Sequence, residues 1–189
     1  MADKKVTHCS FFNSIVEMNY IGQCMNRNNC SEMYLKRILM KRPDAIANIM
    51  GSSEYPEIMG NVRLYQTGRG VLAMTEVCGL PTSKDVCMNP VFGYHIHSGN
   101  FCLGNSEDPF ADAIAHYNPD NCNHPYHAGD MPPLFGNDGY AFSVFLSNRF
   151  NVCEIIGKTV IIHLHPDDFH SQPAGNSGAK IACGEIFAL

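Results

Sequence analysis

Three features that would assign this chain of 189 residues to a class at once are missing. No apolar run approaches the roughly 20 residues that a membrane-spanning helix needs. No long run of lysine and arginine occurs, and no two cysteines have CxxC spacing. These absences argue against a membrane span, against nucleic acid as the main partner of a chain with net charge −5, and against zinc-ribbon and thioredoxin-like proteins.

Charged residues are also sparse, at 16%, while the apolar fraction of 45% is ordinary. That composition predicts a folded chain, long enough for one domain with a real core and an appendage. The beginning, MADKKVTHCSFFNSIVEMNY, has early positive charge but no uninterrupted apolar segment of the kind found in a secretory signal. We therefore expect a cytoplasmic protein.

Nine cysteines form an odd set, so at least one of them has no partner within the monomer. A cytoplasmic chain normally keeps thiols reduced. We expect most of them to be small buried apolar side chains.

Residues 1–42 differ from the rest and are expected to form an N-terminal extension. The run SEMYLKRILMK predicts a short amphipathic helix with Ser31 as its N-cap, ending before Pro43. Soft metal-ligating residues also occur here, and they allow an auxiliary metal site, although a packing or interaction arm is favoured over it. They are His8, Cys9, Cys24 and Cys30.

From Pro43 to Leu189 the pattern changes to short apolar runs separated by Gly, Pro, Asn and Asp. Seven such runs predict strands. They are Ala45–Met50, Gly60–Gln66, Val71–Val77, Val91–His97, Tyr140–Leu146, Lys158–His165 and Ile181–Leu189. We expect an all-β domain over residues 43–189, a Greek-key barrel or sandwich of about seven to eight antiparallel strands with long metal-binding loops.

Seven of the nine histidines fall into three tight groups. His95 and His97, and likewise His163 and His165, are two residues apart, so on a strand both rings of a pair point to the same face and can chelate one ion. Alternation on a half-exposed strand produces the same pattern, so each pair alone favours a polar strand face over a metal site.

The third group is stronger, because residues 116–130 read HYNPDNCNHPYHAGD. This run lies within an interval, Gly99 to Gly139, that has no strand pattern and therefore needs a function or an internal staple. Its three imidazoles and one carboxylate suffice for a tetrahedral zinc site. They belong to His116, His124, His127 and Asp130.

Taken together, these segments resemble the copper-zinc superoxide dismutase family. GYHIH resembles the strand with two copper ligands, HYNP the bridging histidine and HAGDMPPL the end of the zinc loop. IIGKTVIIHLHPDD resembles the strand with the last copper histidine, and GNSGAKIACG the C-terminal stretch. The resemblance covers residues 43–189 in the correct order.

The resemblance implies two metal sites that share His116 as a bridging imidazolate. Copper would be held by His95, His97, His116 and His163, and zinc by His116, His124, His127 and Asp130. Asp167 would accept hydrogen bonds from His97 and His124 and so fix both rings. His165 and His170 have no ligand role in the family pattern.

The resemblance also implies a disulfide between Cys102 and Cys183. Lys180 stands where the family has a guiding arginine, and lysine keeps the charge but loses the planar fork. We therefore expect dismutase activity that survives but is reduced.

Three functions follow from these residues. The main one, which the resemblance implies, is disproportionation of superoxide to dioxygen and hydrogen peroxide, with His116 and Lys180 as catalytic residues and, as is often found in the family, a homodimer. The second is a copper- and zinc-binding β-domain with little turnover. A zinc hydrolase is weaker, because it needs an open coordination position and the zinc set here is complete.

Overall fold

The computed structural model describes residues 30–85, 87 and 90–189. The chain divides into two compact units, Met1–Lys41 and Arg42–Leu189. Of the N-terminal soft ligands, His8, Cys9 and Cys24 lie outside the described residues.

The described part of the first unit is helix α1, Cys30–Leu39. It agrees in position and type with the predicted amphipathic helix. Ser31 lies inside the helix, so it is not the N-cap that the sequence predicted. Lys36 and Arg37 occupy the last turn, where cations favour the negative end of the helix dipole. At ten residues it is the longest helix described, and no helix in the described part of the chain is long and apolar enough to span a membrane.

The second unit is built from nine strands. They are β1 Ala45–Gly51, β2 Met59–Thr67, β3 Gly70–Cys78, β4 Val91–Phe92, β5 Tyr94–His97, β6 Leu134–Phe135, β7 Ala141–Ser147, β8 Thr159–His163 and β9 Lys180–Ala188. Seven of them form one antiparallel sheet in the order β5-β8-β9-β1-β2-β3-β7, and β4 pairs with β6. The sheet is a curled half-barrel, which confirms the predicted all-β fold.

Alternating burial explains how these strands form a core. Ala45, Ala47 and Ile49 on β1 are buried, while the alternating positions Asn48 and Met50 are exposed. Strand β8 differs, because all five of its residues are buried. One side of it faces the main core, and the other is covered by the loop that carries Phe110 and Ala113. We call this segment, which lies between Cys102 and His116, the covering loop.

Gly93 divides the predicted strand Val91–His97 into β4 and β5. Its N–H donates to the carbonyl oxygen of His165 at 2.8 Å, and a Cβ there would lie 2.8 Å from the Ser177 side chain. The chain therefore changes partner at this residue, from β6 to β8. Strand β6 was not predicted, because two residues are too short to show a period.

A second short helix, α2 at Val152–Ile155, was also not predicted. The Glu154 carboxylate accepts the Asn151 backbone N–H at 2.8 Å, and Val152 and Ile155 are buried. The Asn-x-x-Glu spacing is a capping-box pattern and was the available signal.

Candidate metal centre

The first three histidines of the centre come from two paired strands. His95 and His97 lie on β5, and His163 ends the neighbouring antiparallel strand β8. The Nε2 atoms of His97 and His163 are 3.2 Å apart, and all three side chains are buried. The register between β8 and its other neighbour, β9, shifts between Ile162 and His163. Beyond that shift β8 ends, and His165 is exposed, so these two histidines do not form the chelating pair that strand alternation predicted.

The histidine-rich loop returns along β5 and adds the remaining residues. Its backbone bridges β5 at His97 and His116 and at His95 and Asp130. The Ile96 N–H donates to the carbonyl oxygen of Gly129 at 2.9 Å. A Cβ at residue 129 would lie 2.3 Å from the Ile96 carbonyl oxygen, so this approach requires glycine.

Two groups of four side chains result, and in each group the potential ligand atoms lie within 4.8 Å of one another. The first holds His95, His97, His116 and His163, and the second holds His116, His124, His127 and Asp130. The structure thus brings together all seven residues that the sequence predicted as metal ligands. His116 belongs to both groups.

The ring of His116 divides its two nitrogens between the groups. Its Nδ1 lies 2.8 Å from Asp130 Oδ1 and 3.4 Å from His127 Nδ1, on the side of the second group. Its Nε2 is buried and has no hydrogen-bond partner. The ring stacks against His95, with 3.9 Å between centroids. One imidazole therefore presents a nitrogen to each group.

Backbone carbonyls fix the tautomers in the first group. His97 Nδ1 lies 3.2 Å from the Ile114 carbonyl oxygen, and His163 Nδ1 lies 3.1 Å from that of Gly178. A carbonyl oxygen only accepts, so both rings are protonated on Nδ1 and present an Nε2 lone pair. Because these lone pairs face each other at 3.2 Å, the arrangement fits a cation between them.

Asp167 links the two groups. Its Oδ2 accepts from His95 Nε2 and its Oδ1 from His124 Nε2, both at 2.8 Å. The sequence predicted His97 in place of His95. His97 instead donates to Ile114, because it lies at the end of β5 beside the covering loop.

With Nε2 engaged, His95 and His124 each present a buried Nδ1. Neither Nδ1 has a hydrogen-bond partner, although His124 Nδ1 lies 3.1 Å from Asp130 Oδ2 without hydrogen-bond geometry. A buried polar atom without a partner is costly, and ligation satisfies it.

Burial holds the imidazoles of His97 and His163 neutral. It lowers the pKa of His163 to about 3 and that of His97 well below its usual value, and the neighbouring rings add to both shifts. A neutral imidazole is the form that ligates a metal. His97 and His163 are therefore in the form that binds a metal cation.

The two carboxylates are held ionised. Burial alone would raise the pKa of Asp130, but the hydrogen bond from His116 and the neighbouring imidazoles outweigh it and lower that pKa. For Asp167 burial again raises the pKa, but hydrogen bonds from His95, the Phe169 N–H and His124 outweigh this effect and lower the pKa well below its usual value. The centre therefore contains two anionic groups among its imidazoles.

Lys180 lies beside His163, its register partner across the β8 and β9 strands. Its Nζ donates to Asp108 Oδ2 at 2.7 Å and to the Phe110 carbonyl oxygen at 3.0 Å. The contact with Asp108 was not predicted, and the sequence carries no signal for it, since the two residues are 72 positions apart.

The predicted disulfide between Cys102 and Cys183 is present and joins the covering loop to β9. The other described cysteines of the second unit are exposed. They are Cys78, Cys87, Cys122 and Cys153. For these four the expectation of buried apolar side chains was wrong, because they lie in loops, at a strand end and on a short surface helix.

His165 and His170 are exposed and lie outside both groups. The Nδ1 of His170 lies 2.6 Å from the Asp168 carbonyl oxygen in its own turn.

A curled antiparallel β-fold with two buried, histidine-rich groups that share one imidazole defines a β-metalloprotein whose centre is suited to two ions. The chain belongs to the copper/zinc superoxide dismutase family. The family's sequence model, described as "Copper/zinc superoxide dismutase (SODC)", matches residues 58–186.

Bacterial relatives support this assignment. "Superoxide dismutase [Cu-Zn] 2" of Aquifex aeolicus is 32% identical over 69% of this chain and 80% of the relative. "Superoxide dismutase [Cu-Zn]" of Legionella pneumophila is also 32% identical, over 76% of this chain and 86% of the relative.

A solved structure shows the same fold. The superoxide dismutase-like protein from Bacillus subtilis superposes with a TM-score of 0.60 at 25% identity, covering 74% of this chain and 96% of that one. The chain is therefore similar both to proteins named as dismutases and to one named only as dismutase-like.

Proposed function

We propose that this protein binds copper and zinc and disproportionates superoxide. The observation that carries the proposal is His116, whose Nδ1 faces Asp130 while its buried Nε2 faces the all-histidine group. A single ring placed in this way can serve two different ions at once. Family membership supports the same function.

The donor sets fit two different ions. Copper would be held by His95, His97, His116 and His163, because it binds nitrogen ligands more tightly than other divalent metals do. His124, His127 and Asp130, together with His116, would hold zinc in a closed tetrahedral site. When bound, copper supplies one-electron oxidation and reduction, and zinc supplies charge and rigidity without redox change.

The reaction consumes two superoxide ions and two protons and forms one dioxygen and one hydrogen peroxide. The residues supply attraction for the anion and a proton for the peroxide. Lys180 is the cation beside His163. We assign proton delivery to His116 through Nε2, the ring nitrogen that is not in contact with Asp130. Asp167 keeps the rings of His95 and His124 in place.

A cavity of about 270 Å³ gives access to His163. It is lined by the loop after β8, with Ser171, Gln172 and Asn176 among the polar residues. A small anion fits this space, and His163 is the one histidine of the two groups among its lining residues.

The proposal is tested by loading the protein with copper and zinc, verifying both by metal analysis, and following superoxide decay by stopped-flow absorbance. We expect catalysis well above spontaneous decay. His163→Ala should abolish it, and His165→Ala, a change two residues further along and exposed, should not. Full loading with decay no faster than in free solution would refute the dismutase function.

A second function, metal binding with little turnover, is favoured by one observation. The ammonium group of Lys180 is already paired with the Asp108 carboxylate at 2.7 Å. An anion entering the cavity would then meet a compensated charge. In the same assay this function predicts full loading with both ions and no rate enhancement.

A further inference from the structure

Lys180 is a cation beside the all-histidine group. It is the register partner of His163, and after burial and the neighbouring rings its charge also lowers the pKa of His97 and of His163. The residues that line the cavity at His163 include no lysine, arginine, aspartate or glutamate. The field that an incoming anion meets there therefore depends strongly on this one ammonium group.

Asp108 holds that ammonium group from the covering loop. Its Oδ2 accepts from Lys180 Nζ at 2.7 Å, and its Oδ1 accepts the Phe110 N–H at 3.0 Å. The turn is closed by Asn105, whose side chain accepts the Asp108 N–H at 3.0 Å and whose N–H donates to the Asp108 carbonyl oxygen at 2.9 Å. The carboxylate therefore occupies a fixed position.

The pair is also shielded from water on the lysine side. The Lys180 side chain is only 13% exposed, and a second acceptor, the Phe110 carbonyl, takes another of its protons at 3.0 Å. Two opposite unit charges at contact distance produce little net field a few ångströms away, and in a partly buried site solvent screens the remainder weakly.

We propose that Asp108 is a positioning residue that sets the anion affinity of the centre by holding Lys180 and compensating its charge. The inference rests on the proposed function, since it concerns the attraction of superoxide to the same centre. Removing the negative charge while keeping the oxygen that accepts from Phe110 should expose the charge of Lys180 to the cavity.

The test compares Asp108→Asn with Glu107→Gln, which makes the same charge change at the adjacent, exposed position of the same loop. Azide is the probe, and its dissociation constant is read from the absorbance of the copper- and zinc-loaded protein. For Asp108→Asn we expect azide to bind about three- to tenfold more tightly at low ionic strength. The gain should shrink in about 0.5 M salt, where the Debye length is a few ångströms.

Glu107→Gln should leave azide affinity near the starting value, and Asp108→Glu, which keeps the charge, should do the same. Lys180→Met should weaken azide. The inference would be overturned if the azide dissociation constant were unchanged in Asp108→Asn, or if azide affinity rose equally in Glu107→Gln. It would also be overturned if the gain in affinity did not depend on salt concentration. Asp108→Ser is the second neutral variant if the asparagine variant does not fold.

The two proposals fail separately. Loaded protein that binds azide more tightly after Asp108→Asn but does not turn over superoxide would leave this inference standing and refute the dismutase function. Rapid turnover with azide affinity independent of residue 108 would do the reverse.

Discussion

His97 Nε2 lies 3.2 Å from His163 Nε2, and each ring donates its other N–H to a backbone carbonyl oxygen. Neither nitrogen of this contact carries a proton, so the contact is repulsive until a cation lies between the rings. The fold thus holds these lone pairs in place against their mutual repulsion. From this contact and the residues around it we make four predictions about metal binding and stability.

Removing the metals should destabilise the protein. Ions bound at both groups stabilise the folded state, because neither group is assembled in the unfolded chain. We expect the thermal midpoint of the metal-free protein to lie at least about 10 °C below that of the loaded one, measured by calorimetry. Equal midpoints at verified full loading would contradict the assignment of the two groups as metal sites.

The metal-free protein should lose stability in acid. The folded-state pKa of His163 is about 3, far below the value of about 6.5 in an unfolded chain. Between those pH values the unfolded state binds a proton that the folded state does not, so stability falls as pH falls, by at most about 1.4 kcal/mol per pH unit for this group.

Urea unfolding of metal-free protein at pH 7 and pH 5 measures this effect. His163→Gln removes the titrating group and should flatten the dependence, whereas His165→Gln, at an exposed position, should leave it unchanged. A dependence that is identical in all three proteins would exclude His163 as its source.

Asp167→Asn should weaken both metal sites together. The single carboxylate orients His95 of one group and His124 of the other, and loss of such a partner typically costs about 10- to 100-fold in metal affinity. Competition with a chromophoric chelator gives both affinities. The control is the neighbouring Asp168→Asn, because the Asp168 carboxylate accepts from the N–H groups of His170 and Ser171 in its own turn. An effect on one metal alone would be inconsistent with the shared carboxylate.

Cys102→Ser should destabilise the protein, because the disulfide to Cys183 spans 81 residues. We expect a loss of about 2–5 kcal/mol in the free energy of unfolding. Urea titration measures it, with Cys122→Ser at an exposed free cysteine as the control. If the two serine variants unfolded at the same urea concentration, the disulfide would not be a stabilising link.

The fold could be read largely from the sequence, because alternation is a local signal. Six of the predicted runs correspond to β1, β2, β3, β7, β8 and β9 within a few residues. The remaining run, Val91–His97, contains both β4 and β5. The break at Gly93 was missed, since it depends on Ser177 and His165 from a distant loop. Strand β6 was missed because it is defined by its pairing with β4.

The candidate site divides in a similar way. Imidazole and carboxylate side chains cluster in short segments, so the seven predicted ligand residues were identifiable from their types, spacing and order. His165 shows what spacing alone cannot predict. Strand β8 ends at His163, next to a shift in its register with β9, so the alternation that would place the rings of His163 and His165 on one face does not continue.

By itself, then, the sequence determined the strand pattern and which side chains carry metal-binding chemistry, since both are properties of neighbouring residues. The tertiary structure decided which nitrogen of each ring is free. It brought the Asp167 carboxylate into hydrogen-bond contact with His95 instead of His97, and the Asp108 carboxylate into contact with Lys180. In both pairs the partners lie 72 residues apart. Such contacts depend on where the loops return to the sheet, and only packing of the whole domain fixes that path.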